Sequence, residues 1–163
     1  MIKIKAQPLS KEEFAPYGEY YTMDCPQGHS LDGEIHKFYP DRVVAYQGHT
    51  VAFSPLVVKR PEQLIVKQAE YHTTTCEVIM PLNDDMILHV AEPSAGVPIP
   101  AKTKAFIVPK HTVVKLKACI WHLAPLPKTA DYLYTMIVLP ECTYINDCKV
   151  VDFKEDEHLL IEV

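Results

Sequence analysis

A carboxylate, an imidazole and a second carboxylate fall close together in the stretch EYHTTTCEVIMPLNDDM, residues 70–86: Glu70, His72 and Glu77. On a β-strand, residues two apart share a face, so Glu70 and His72 project together. Glu77 lies five beyond His72, the wrong parity for that face in an unbroken strand. A turn or bulge at Thr73–Cys76 would correct the parity, because a bulge re-aims a side chain. A fourth group arrives from far along the chain: His122, in KACIWHLAP. Two histidines with one or two carboxylates can bind a divalent metal and leave positions open for substrate. The same groups can act as acid and base without a metal. Glu70, His72 and His122 are therefore the candidate catalytic residues, and His72, Glu77, His122 and Glu70 the candidate metal ligands. The competing reading is a solvated Glu–His pair at a strand end.

The other reactive side chains read more plainly. His29, His36, His49, His111 and His158 sit among polar neighbours and are expected at the surface. His89, in MILHVAE, alternates with apolar residues and is expected to be either a partnered barrel histidine or an exposed one. Trp121 reads as core or pocket wall. Asn83-Asp84-Asp85 has the composition of a hairpin turn and lacks the rest of a calcium loop. Cys76 precedes Glu77, so on a strand its thiol points to the opposite face, as a core thiol rather than a nucleophile.

Short strands must position these groups. IKIKA, VVAYQ, HTVAFSP, QLIVKQAEYH, CEVIMP, MILHVAE, KAFIVP, TVVKLK and YLYTMIVLP are period-two segments rich in Val, Ile, Tyr and Thr and bounded by turn residues. One helical turn is signalled, at SKEEF. Ser10 can cap it and Glu13 holds the capping-box position, but Pro16 and Gly18 stop it early. KEDEHLLIEV suits a short helix or a last strand, and EPSAGVPIPAKTK, residues 92–104, reads as a surface connection. The expectation is a single domain over residues 1–163, mostly antiparallel β, folded as a sandwich or barrel.

Composition narrows the function. The chain has 163 residues, 48% of them hydrophobic and 23% charged, as in ordinary globular proteins. A net charge of −5 without a basic cluster argues against nucleic acid or an anionic membrane as partner. No apolar run approaches a membrane span, and the first residues lack a signal-peptide core. Five scattered cysteines without a CxxC pair predict a reduced, cytoplasmic chain. The five glycines form neither GxGxxG nor a P-loop, so no nucleotide cofactor is expected. Exposed strand edges predict a homodimer by sheet extension.

With these residues in place, the sequence resembles the ureidoglycolate lyase family of the cupin superfamily. The resemblance opens with IKAQPLSKEEFAPYGEY, where PLS-x-E-x-F and Tyr17-Gly18 match the family's pattern. It runs through Glu70-x-His72 and the following Ile-Met-Pro, the segment PAKTKAF (Pro100 to Phe106) and Trp121-His122-x-x-Pro125, and ends near Asp147-Cys148. It implies a cupin-type double-stranded β-helix, a jelly-roll barrel with a short N-terminal helix. It also implies cleavage of ureidoglycolate to glyoxylate and urea, with a divalent metal such as nickel, zinc or manganese.

Two departures stand out. The family usually has glutamine where this chain has Glu77, and an Asp-Arg pair where it has Met136–Ile137. If that arginine serves the substrate's carboxylate, Lys59 and Arg60 are the nearest replacements here, and with Trp121 they are the candidate substrate-binding residues. The alternatives are another metal-dependent cupin enzyme, an isomerase or epimerase acting on a hydroxy acid or sugar, or a non-catalytic cupin that binds a metabolite.

Overall fold

A computed structural model describes residues 1–163. The first half of the chain runs β1 (Ile2–Pro8), α1 (Lys11–Phe14), β2 (Gly18–Thr22), β3 (Leu31–Asp32), β4 (Lys37–Phe38), β5 (Val51–Lys59), β6 (Ile65–Val66), β7 (Gln68–Tyr71) and β8 (Glu77–Pro81). The second half runs β9 (Met86–Val90), β10 (Lys104–Val108), β11 (Thr112–Leu116), β12 (Leu126–Pro127), β13 (Tyr132–Pro140), α2 (Thr143–Asn146), β14 (Lys149–Asp152) and β15 (Leu159–Glu162). Single turns of 3₁₀-helix cover Pro100–Lys102 and Glu155–Glu157. The C-terminal stretch is thus a short helix followed by a strand. No helix is long and apolar enough to cross a membrane.

Two large sheets face each other in an all-β, cupin-like fold. One has the order β12-β9-β10-β1-β15-β6, the other β2-β11-β8-β13-β5. Phe106 and Leu88 from the first sheet meet Ile79, Val114 and Leu133 from the second in one buried cluster, closed at one end by Phe14 and Tyr17. The N-terminal motif has a physical reason here. The Ser10 hydroxyl accepts the Glu13 backbone N–H (3.3 Å), which starts α1 and delivers Phe14 to the core. The Glu13 carboxylate turns instead to Lys104 (2.7 Å). At Gly18 a Cβ would collide with the Lys115 carbonyl of the neighbouring strand, so Tyr17 is followed by glycine.

The six-stranded sheet is buried on its second face as well. There Ile87, Ala91, Ala105 and Leu159 pack under Trp121, Ala69 and Phe153. All of β9 is therefore buried, and the polarity at His89 lies inside the protein.

Several expectations are corrected. β1 pairs in parallel with both β10 and β15, so the sheet is mixed. VVAYQ is not a strand; its Gln47 is buried and its side-chain amide donates to the carbonyls of Cys76 (3.0 Å) and Val138 (3.1 Å). QLIVKQAEYH is two strands in two sheets, since β6 pairs with β15 and β7 with β14. The Asn83–Asp85 turn joins strands of different sheets rather than a hairpin. It is tied down by Asp84, which accepts the backbone N–H groups of Thr129 (2.7 Å) and Ala130 (2.8 Å).

Candidate active site

Backbone pairing explains why distant residues meet. Glu70, in β7, forms an isolated antiparallel bridge with His122: each N–H donates to the other's carbonyl, at 2.6 and 2.9 Å. The Cys119 N–H donates to the His72 carbonyl at 2.6 Å, so residues 119–122 run alongside 70–72. Trp121, between them, turns the other way into the second core. Its ring meets Tyr71 with centroids 4.4 Å apart, and its Nε1–H donates to the Ser94 hydroxyl (2.9 Å).

The Thr73–Cys76 turn is held by an acidic residue from far along the chain, whose role the sequence does not show. Asp147 accepts from the Thr73 N–H (2.8 Å) and hydroxyl (2.6 Å) with one oxygen, and from the Thr74 N–H (2.8 Å) and hydroxyl (2.6 Å) with the other. Burial alone would raise its pKa, but these four donors outweigh that and hold it down to about 2. A run of three threonines before Glu77 is the available signal, because threonine hydroxyls beside the free amides of a tight turn offer an acidic side chain a cluster of donors. Beyond the turn, Glu77 begins β8 on the same face as Ile79 and so points into the barrel.

His72, Glu77 and His122 are buried. Each histidine donates its Nδ1–H to a backbone carbonyl, His72 to Asp147 (2.6 Å) and His122 to Ile120 (2.8 Å). That fixes both rings with Nε2 facing Glu77, whose Oε2 lies 3.1 Å from His72 and 2.7 Å from His122. Burial works against charge on all three. The mutual attraction of imidazoles and carboxylate outweighs it, pushing both histidines up and Glu77 down. Glu70, His72 and His122 each present a ligand atom within 4.8 Å of the others, a possible metal-binding triad. Histidines whose Nδ1–H is tied to backbone carbonyls present Nε2 to an ion, which is the usual support of metal-ligating histidine. The donor set therefore fits a divalent ion.

Glu70, His72 and Glu77 open onto a cavity of about 320 Å³. Its walls come from β5 (Ala52, Ser54, Leu56), β13 (Ile137, Leu139) and the segment after β13. Cys148 in that segment donates its thiol to Glu70 Oε2 at 3.2 Å. Burial first, and then the Glu70 charge beside it, push this thiol up to about 12. No lysine or arginine lines the cavity.

The structure does not bring Lys59 and Arg60 to the cluster. Period two along β5 places Lys59 on the exposed outer face. The Arg60 guanidinium donates to the Pro127 carbonyl (2.8 Å) and to that of Lys128. Trp121 lies behind the site rather than in its wall. His89 is neither partnered nor exposed: its ring is buried, both nitrogens lack partners, and burial together with the nearby His122 charge pushes it down to about 3.

A cupin-like β fold, with two histidines and two carboxylates at the end of an inner cavity, defines the class of protein. The sequence comparisons then specify it. The family model for ureidoglycolate lyase matches residues 1–161, and the chain belongs to that family. It is similar along its length to proteins named ureidoglycolate lyase. The relative from Pseudomonas paraeruginosa (strain DSM 24068 / PA7) is 24% identical over 168 residues, covering 99% of this chain and 97% of the relative. Those from Pseudomonas fluorescens (strain Pf0-1) and Azotobacter vinelandii are each 23% identical, covering 99% and 97% of this chain and 98% and 96% of their own lengths.

Proposed function

We propose that the chain is a ureidoglycolate lyase that cleaves ureidoglycolate to glyoxylate and urea within one cupin-like domain. In this reading His72, Glu77 and His122 hold a divalent metal and Glu70 is the base. One observation carries most of the support: Glu70, His72 and Glu77 open onto one cavity, with His122 bonded to Glu77 in the same cluster, in a chain that matches the family along residues 1–161.

Ureidoglycolate bears a carboxylate, a hydroxyl and a ureido nitrogen on one carbon. Cleavage removes the hydroxyl proton, turns C–O into C=O, and sends the C–N electron pair to the leaving nitrogen, which then takes a proton. The proton count is unchanged overall, so one carboxylate can accept the proton from oxygen and return it to nitrogen. Glu70 suits this part because neither histidine is bonded to its carboxylate, whereas Glu77 is engaged by both rings. When bound, a divalent metal such as nickel, zinc or manganese supplies Lewis acidity that eases ionisation of the hydroxyl. His72 and His122 present Nε2 in fixed orientations, and the apolar walls of Leu56, Ile137 and Leu139 exclude water. Lys59 and Arg60 stand outside the cavity, so the charge that meets the substrate's carboxylate in this reading is the metal's. Trp121 serves the substrate indirectly by fixing the segment that carries His122.

The test is urea and glyoxylate release by protein loaded in turn with nickel, zinc and manganese. Turnover with at least one metal is expected. No release from any of them, with metal content confirmed by elemental analysis, would overturn the assignment.

The reading extends to assembly and location. β5 is an edge strand; its exposed Val57 pairs with exposed Tyr134 of β13, and its Phe53, opposite Val138, is exposed farther along the same face. This apolar edge suits a homodimer, to be checked by sedimentation with Phe53→Asp expected to give monomer. All five thiols are free, which fits the reducing cytoplasm.

A further inference from the structure

The segment Cys142–Cys148 follows β13 and forms one wall of the site cavity through Cys142, Thr143, Tyr144 and Cys148. It also grips the site at three points. The Asp147 carbonyl takes the His72 Nδ1–H (2.6 Å), the Asp147 carboxylate clamps Thr73 and Thr74, and the Cys148 thiol meets Glu70 Oε2 (3.2 Å). The first two contacts aim an imidazole and set a turn. The third falls on a carboxylate that has no other hydrogen-bond donor: no lysine, arginine or backbone N–H bonds to it.

We propose that Cys148 is a positioning residue for Glu70, its S–H holding one carboxylate oxygen so that the other stays directed at the reacting atoms. This rests on the reading of Glu70 as the base of the lyase reaction. A thiol is suited to the task by its weakness. It is a neutral donor, so it leaves Glu70 its negative charge, and its hydrogen bond is feeble enough not to quench the carboxylate's basicity as an ammonium or guanidinium would. Without it the Glu70 carboxylate is free to rotate about its last torsions, and within 4.8 Å of two imidazoles it has competing places to settle. Misplacing a catalytic group by about 1 Å can cost on the order of a hundredfold in rate. A rotation that leaves the backbone bridge to His122 intact is expected to cost less.

The test uses metal-loaded full-length protein and the variants Cys148→Ala, Cys148→Ser and Glu70→Ala. Cys148→Ala should lower kcat for urea release about tenfold with little change in KM, unfolding midpoint or zinc affinity measured by competition with a chromophoric chelator. Cys148→Ser, which restores a small donor, should recover most of the lost kcat. The infrared S–H stretch provides a readout independent of turnover. The band isolated by subtracting the Cys148→Ser spectrum should lie below that of free thiols, and it should move up to their position in Glu70→Ala. Unchanged kcat in Cys148→Ala, failure of serine to rescue, or an S–H band insensitive to Glu70→Ala would each overturn the proposal. Loss of zinc from Cys148→Ala would overturn it too, by making Cys148 a ligand. Absence of urea release from the wild-type protein would remove the lyase reading instead, and the S–H band would then decide the contact alone.

Discussion

His122 and His89 are both buried, and their surroundings have opposite effects. His122 has a backbone carbonyl on Nδ1 and a carboxylate on Nε2, and its affinity for a proton is raised despite the burial. His89 lies on the second face of β9 among Ile87, Ala91 and Trp121, with no partner on either nitrogen, and is pushed down to about 3. Burial without a partner, beside another imidazole that carries the proton, therefore silences a histidine. Burial beside a carboxylate, with the ring locked by a second bond, makes one that can hold a proton or take up a metal in its place.

The largest expected effect lies on the His122 side. His122→Ala should reduce urea release by about 10²–10⁴-fold, the span over which positioned acid–base groups act. It also deprives the buried Glu77 carboxylate of its shorter partner. Breaking a buried pair costs about 3–5 kcal/mol, so the metal-free variant should unfold at clearly lower denaturant than wild type. Turnover near the wild-type level would end the assignment of His122 to the site. His111→Ala, which alters a half-exposed ring bonded to Asp24 far from the cluster, should leave turnover unchanged.

A smaller loss is expected from Asp147→Ala, which keeps the backbone carbonyl that aims His72 but removes the acceptor for Thr73 and Thr74. Four hydrogen bonds at a net value of roughly 0.5–1.5 kcal/mol each, partly replaced by water, suggest a destabilisation of about 2 kcal/mol. Turnover should fall about tenfold as the turn that aims Glu77 loosens. Asp147 has a lowered folded pKa, so its contribution is present above the unfolded value near 4 and lost as pH falls toward about 2. Acid unfolding of Asp147→Ala should accordingly be flatter in that window than that of wild type. Equal slopes would show that the carboxylate does not hold the turn.

The comparison also marks what the sequence could disclose. The Glu70–His72 pair was readable because period two governs any strand. Glu77 was readable because a parity break before a buried strand needs a reason. His122 could be chosen as a candidate, yet nothing local says that it would lie opposite Glu70, because that bridge is made by a two-residue pairing outside any regular strand. The mixed sheet was hidden for a similar reason: β1 and β15 carry ordinary alternation, and parallel pairing at opposite ends of the chain leaves no local mark. At His89 one polar residue between apolar ones suggests a partnered ring or a wet face, while β9 is covered on both faces and the ring has no partner. Asp147 and Cys148 were invisible in role, since they act across more than seventy residues of sequence. Lys59 and Arg60 carry the charge that a substrate carboxylate calls for, but β5 turns the first outward and backbone carbonyls occupy the second.

The smallest effect lies on the His89 side, and its sign is opposite. His89→Leu replaces an unpartnered buried ring with an apolar side chain among apolar neighbours. An unsatisfied buried polar group costs about 1–3 kcal/mol, so even after some loss of packing the variant should be as stable as wild type at pH 7, or more so by about 1 kcal/mol. Turnover should not change. The pH dependence separates this from simple repacking. His89 has a folded pKa of about 3 against an unfolded value near 6.5, so below pH 6.5 the unfolded chain takes up a proton that the folded one refuses. Wild type thus loses stability as pH falls from 6.5 toward 3, with a slope from this group that can reach about 1.4 kcal/mol per pH unit. In His89→Leu that share of the slope vanishes. The stability difference between the two proteins, measured by urea unfolding at pH 7, 6 and 5, should therefore widen steadily toward acid. His122 has a raised pKa, so in metal-free protein its contribution is present below pH 6.5 and declines as pH rises through the folded value; it cannot mimic that trend. A difference that stays constant across the three pH values would mean that His89 is protonated inside the folded protein, and the contrast between the two histidines would fail.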